Sequence, residues 1–216
     1  MNDSPCIFCD RKNLEERLIY ENADFYVAAT LGQITDGGYI LIIPKRHVVC
    51  LTELTSHIPN SETGRLTSLS LEVNTILKAE YKKIKGFYSY TDITTMFEHG
   101  IVGQTVKHAH LHMLPDLKDF SRRIKKDFPQ SEIQELKYAE HIQKLYKDNP
   151  RPYLFWTNVI GKGTVCWNPP APAQYLRLIA AELLGRPERG NWKNMDPELD
   201  KRLSEETVRR LKPYFQ

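Results

Sequence analysis

Apolar residues recur along the chain with two periods, near 2 and near 3.6, and the switches between them outline the secondary structure. Leu18–Tyr20 and Phe25–Ala29 are short aliphatic, β-branched and aromatic runs around the turn-forming Asn22-Ala23-Asp24, which predicts a hairpin. Residues 31–36 read as a loop. Gly37-Gly38 then opens a strand over Tyr39–Ile43, closed by Pro44 because proline has no N–H for a ladder. Leu66, Leu69, Val73, Ile76 and Leu77 sit at helical spacing and predict a helix over Ser61–Lys78, with Ser61 as N-cap. Phe87–Ile93 reads as a strand, and Met96–Val106 as a loop whose glycines let backbone amides approach a ligand. Lys107–Pro115 alternates strictly, so a strand here turns His108, His110 and His112 to one face and Ala109, Leu111 and Met113 to the other. Helices are predicted around Ser131–Tyr146, over Ala173–Leu184 with Gly185 as the stop, and from Asp196-Pro197 onward. Between them the prolines from Pro150 to Pro187 make the chain loop-rich.

Composition narrows the class without naming it. A net charge of +3 with 26% charged residues is too weak to imply nucleic-acid binding. The local basic cluster Arg122, Arg123, Lys125 and Lys126 reads as a solvated helix face. No apolar run approaches the roughly 18 residues that span a bilayer, and Met-Asn-Asp-Ser-Pro lacks a signal layout, so a cytoplasmic protein with no membrane partner is expected. Four cysteines form no disulfide framework, which turns Cys6-Ile7-Phe8-Cys9 toward metal or redox chemistry.

The candidate chemistry gathers on the alternating histidines. Strand geometry spaces neighbours on one face by roughly 7 Å, near enough to surround one phosphate or ion but too far for all three to grip it without bending. Distinct roles for the three are therefore expected. Cys6 and Cys9 can share a tetrahedral ion but need a second half-site. His47 follows a strand end, where binding residues commonly lie.

Gly103-Gln104-Thr105-Val106-Lys107-His108-Ala109-His110-Leu111-His112-Met113-Leu114-Pro115 resembles the signature of the histidine-triad (HIT) superfamily of nucleotide hydrolases and transferases. Gly38–His47, a glycine, an apolar strand and Pro-Lys-Arg-His, is similar to that family's second landmark, and the likeness runs from about Cys6 to Phe120. The resemblance implies an α+β fold, an antiparallel sheet flanked by helices, extended here by a helical C-terminal segment. The chain then divides into a HIT-like catalytic domain over 1–125, a connecting helix over 126–149 and the extension over 150–216. By the same resemblance His110 is the nucleophile that attacks the α-phosphate of a dinucleoside polyphosphate or nucleoside phosphoramidate. His112 and Gln104 bind phosphoryl oxygens, and Thr105 serves the leaving group. Gly103, Glu98 and Gln33 are the further substrate contacts, the last two standing where many members carry other residues. Zinc-containing members imply a structural zinc on Cys6, Cys9, His47 and His108, with His57 competing for the third position. Partners on this reading are a nucleotide and, in the extension's dimer reading, a second copy; nucleic acid is allowed but not favoured. A nucleotide- or RNA-binding module with little catalysis is the alternative.

Overall fold

The computed structural model describes residues 6–55, 61–85, 94–116, 118–138, 141–157 and 162–216. Its strands form a single antiparallel sheet in the order β1 (Leu18–Glu21), β2 (Phe25–Ala29), β3 (Ile40–Pro44), β5 (Leu111–Leu114), β4 (Thr95–Gly100), β7 (Tyr153–Thr157), β8 (Gly163–Trp167), β6 (Glu132–Glu135). The predicted hairpin is β1–β2, and its turn is an Asx turn: the Asn22 carboxamide oxygen accepts from the backbone N–H of Asp24 and of Phe25, both at 2.9 Å. Gly38 has φ +79°, and a Cβ there would lie 2.5 Å from the Tyr81 ring, so only glycine can open β3 at this point.

Helix α1 (Glu62–Lys85) extends beyond the expected end at Lys78. The Ser61 hydroxyl accepts from the Gly64 N–H at 3.3 Å, as an N-cap should. Its apolar stripe packs on one face of the sheet against Ile40, Ile42, Leu111 and Met113. The strand expected over Phe87–Ile93 and the competing ligand His57 both lie outside the described residues.

Three segments differ from their expected form. Met96–Gly100 is not a loop but most of β4, paired on one flank with β5 and on the other with β7. Residues 131–146 are not one helix: Glu132–Glu135 is the edge strand β6, and only His141–Asp148 coils, as α3. The proline-rich segment also contributes β7 and β8, every residue of which is buried. The basic cluster does lie on a short helix, α2 (Ser121–Asp127), with Arg122, Lys125 and Lys126 exposed and Ile124 in the core.

The C-terminal helices form as expected. In α4 (Tyr175–Leu183) the chain leaves through Gly185 at φ +71°, whose N–H bonds the Glu182 carbonyl at 2.9 Å. In α5 (Pro197–Leu211) the Asp196 carboxylate caps the Leu199 N–H at 2.7 Å. Helix α4 covers the second face of the sheet, burying Leu176, Ile179 and Ala180 with Phe97, Leu154 and Trp156. Helix α5 clamps the loop before β3: Asp200 accepts from the backbone N–H of Gly32 and of Gln33, both at 3.0 Å, and its other oxygen faces Arg17 at 3.4 Å. The sheet face under α4 and the clamped loop together bound the cleft described next.

Candidate functional site

The three histidines leave the sheet toward two destinations. His110 and His112 enter a cleft of about 160 Å³, whereas His108 turns to the cysteines. The backbone before β5 makes this division possible, because Ala109 leaves the ladder and donates to the Val48 carbonyl at 2.7 Å. The rings of His110 and His112 lean together to a centroid separation of 4.8 Å.

Hydrogen bonds fix which nitrogens are free. His110 Nδ1 lies 2.7 Å from the His108 carbonyl oxygen, which can only accept, so Nδ1 carries the proton and Nε2 keeps its lone pair. His112 Nδ1 bonds the Tyr39 hydroxyl at 2.7 Å, and its buried Nε2 has no partner. Phe97 stacks on the His112 ring at 4.4 Å and 9°, which holds that ring flat against β4. Burial pushes both imidazoles down, His110 to about 4, and the positive charge of Arg177 adds to it, so both are neutral near pH 7.

The expected glycine loop forms one wall. Gly103 has φ +75°, and a Cβ there would meet the Pro172 carbonyl oxygen at 2.9 Å and His99 Cδ2 at 3.0 Å. Gln104 borders the cleft while its amide donates to the Val49 carbonyl at 2.6 Å, and Thr105 stands exposed on the rim. The floor and far wall are apolar, with Ala28, Leu41, Ile43, Leu14 and Phe8. The Phe8 ring meets the rings of both His108 (5.8 Å) and His110 (5.3 Å) edge-on, between the two destinations.

Two expected contacts fall elsewhere. Glu98 is one residue out of phase with Phe97 and His99 on β4, so it faces the opposite side of the sheet. There it is 2% exposed and accepts from the Leu51 N–H and the Tyr153 hydroxyl, both at 2.7 Å. Gln33 is fully buried, donating to the Tyr39 carbonyl at 2.7 Å and accepting from the Tyr39 N–H at 3.1 Å, so it braces the entry to β3 and does not border the cleft. Sequence reasoning missed Tyr39, His99, Arg177 and Trp192, which do border or brace it. His99 accepts from the Leu176 N–H through Nε2 at 3.0 Å, and burial pushes it down to about 3. Reading 95–100 as a strand would have placed His99 on the face of His110 and His112; the pattern of residues 174–192 gives neither Arg177 nor Trp192 a place in the cleft.

Cys6, Cys9, His47 and His108 converge, their four candidate ligand atoms all within 4.8 Å of one another. Cys6 Sγ lies 3.3 Å from His108 Nδ1, and Cys9 Sγ lies 3.2 Å from His47 Nδ1. Ligand bonds of about 2.0–2.3 Å around a tetrahedral ion separate the donor atoms by roughly 3.3–3.8 Å, so the set fits zinc in size and in chemistry. His108 Nε2 lies 2.8 Å from the Pro44 carbonyl, which assigns the proton to Nε2 and leaves Nδ1 for a metal.

The HIT domain family model matches residues 11–119, just over half of the chain. The nitrilase and fragile histidine triad fusion protein NitFhit of Caenorhabditis elegans is 32% identical over 127 residues, which is 58% of this chain; the chain spans about a quarter of that relative's length (24%). Among solved structures, a histidine triad protein from Clostridium difficile shares 25% identity at a TM-score of 0.37, covering 55% of this chain and 96% of that one. A zinc-bound histidine triad family protein from Mycobacterium smegmatis shares 23% at 0.35, covering 53% and 68%. With two of its signature histidines in one cleft and its family model matched over half its length, the chain belongs to the HIT domain family.

Proposed function

We propose that the protein is a hydrolase or nucleotidyltransferase acting at the α-phosphate of a dinucleoside polyphosphate or nucleoside phosphoramidate. One observation carries the reading: two neutral imidazoles face one cleft, His110 with a free lone pair on Nε2 and His112 with a buried, partnerless Nε2. With the Tyr39 hydroxyl donating to Nδ1, His112 Nε2 holds a proton aimed at a missing acceptor, which a non-bridging phosphoryl oxygen would supply. His110 Nε2 bonds to the α-phosphorus as the bond from phosphorus to the leaving oxygen or nitrogen breaks, and Thr105 at the rim serves the proton that leaves with it. Water, or an acceptor hydroxyl, then attacks the phosphorus, its proton returning to Thr105 as the P–Nε2 bond breaks and His110 recovers its lone pair. The apolar wall of Phe8, Leu14 and Ile43 suits the face of a nucleobase.

A zinc ion on Cys6, Cys9, His47 and His108 would have four protein ligands and no open position, so when bound it supplies structure and not Lewis acidity. The chain's own contribution is to fix the orientation of the segment that leads to His110.

His110→Ala is the decisive variant. Labelled dinucleoside polyphosphate should leave an acid-labile nucleotidyl adduct on the wild type and none on H110A, whose fold and metal content stay unchanged. Turnover retained by H110A would overturn the mechanism.

A further inference from the structure

Arg177 is a buried cation with no counter-charge in view. It is 5% exposed, and its two hydrogen bonds go to backbone carbonyls, Nη2 to Gly32 at 2.9 Å and Nε to Gly190 at 3.4 Å. Carbonyls orient a guanidinium without neutralising it. Among the described residues no carboxylate pairs with it; its one side-chain neighbour of note is the neutral Tyr39. An ion kept out of water in this way is costly unless a ligand supplies the opposite charge.

Its position shows where that ligand would sit. Arg177 borders the same cleft as His110 and His112, and its guanidinium lies over the Tyr39 ring, 5.2 Å from the centroid. The Tyr39 hydroxyl in turn bonds His112 Nδ1 at 2.7 Å, so one tyrosine links the cation to the imidazole whose Nε2 is orphaned. Helix α4 holds it rigidly: the Gln174 N–H bonds the Gly103 carbonyl at 2.8 Å and the Leu176 N–H bonds His99 at 3.0 Å. Every other polar side chain that α4 and its flanks send here is neutral.

We propose that Arg177, supplied by the C-terminal segment, is a substrate-binding residue whose ligand is a phosphate oxygen of the nucleotide. The inference deepens the reading above and rests on it for the word nucleotide; the anion site itself stands on Arg177 alone. A planar guanidinium can take two phosphate oxygens side by side, which would select phosphorylated ligands over nucleosides in a cleft whose other bordering cation, Arg17, already faces Asp200 at 3.4 Å.

Calorimetric titration of the full-length protein with AMP, adenosine and inorganic pyrophosphate tests this on wild type, R177Q and R177K. Charge-assisted hydrogen bonds of this kind predict that R177Q weakens AMP and pyrophosphate about 10- to 100-fold and leaves adenosine unchanged, with R177K intermediate. AMP and pyrophosphate binding to R177Q as tightly as to wild type would overturn the proposal. Pyrophosphate binding that depends on Arg177, without AMP or adenosine binding, supports the anion site and overturns the nucleotide reading; a wild type that binds none of the three overturns both. Should R177Q fail to fold, the side-chain ¹⁵N resonance of Arg177 in the wild type, assigned by its loss in R177K, must shift on adding pyrophosphate. A resonance that stays in place overturns the proposal.

Discussion

Glu98→Gln separates a structural carboxyl from a substrate contact. Burial pushes Glu98 up from the ordinary value of 4.5 to about 7, with its hydrogen bonds from Tyr153 and Leu51 opposing the shift only in part. As pH rises through about 4.5 the unfolded chain ionises this group while the folded chain still holds its proton, so the unfolded state binds fewer protons and stability falls with pH. The loss ends once pH exceeds the folded value near 7. At 1.36 kcal/mol per pH unit, the interval from 4.5 to about 7 corresponds to about 3 kcal/mol. Glutamine keeps the shape and can still accept from Leu51 and meet the Tyr153 hydroxyl, but it does not titrate. Urea unfolding at a series of pH values from 4.5 to 8 should therefore give a wild-type stability that declines relative to E98Q by about 3 kcal/mol and then runs parallel to it. Because Glu98 faces away from the histidine cleft, nucleotide affinity and turnover of E98Q should equal those of the wild type. Parallel curves throughout, or a tenfold loss of nucleotide affinity, would refute the placement.

Elemental analysis of the purified protein should find one zinc per chain, and Cys9→Ser should lose it with a fall in melting temperature; a metal-free, equally stable wild type would count against the site. Asp200→Ala leaves the Gly32 and Gln33 N–H groups and the Arg17 guanidinium without their acceptor, which should cost about 2–4 kcal/mol in denaturant unfolding; a loss under 0.5 kcal/mol would show the clamp to be slack.

The readable parts of the sequence are those where local pattern and tertiary environment agree. The hairpin announces its turn through Asn22, and the histidine strand announces its two faces by alternation. Strands β7 and β8 do not, because both of their faces are buried and period 2 vanishes into continuous aromatic and aliphatic runs. Glu132-Ile133-Gln134-Glu135 carries good helix formers, yet pairing with β8 overrides that preference. At the site, the triad and the Cys-x-x-Cys are contiguous motifs with fixed spacing, so residues converge where expected. Glu98 and Gln33 stand at positions where the resemblance implies ligand contacts, and burial instead makes them anchors for neighbouring backbone and hydroxyl groups. Arg177 is invisible for the opposite reason: 65 residues separate it from His112, and only the seating of α4 brings them together.

The pairing of β4 with β7 changes what counts as the smallest stable unit of this chain. Phe97, Glu98, His99 and Gly100 lie opposite Trp156, Phe155, Leu154 and Tyr153, so the strand carrying His99 is interior and not marginal. A chain shortened to the family-matched segment would present that flank as a row of open N–H and C=O groups beside an uncovered apolar face, a template for adhesion between copies. The C-terminal third is thus the piece that closes the open flank of the histidine-bearing half, and it brings an arginine to the histidine cleft as it does so.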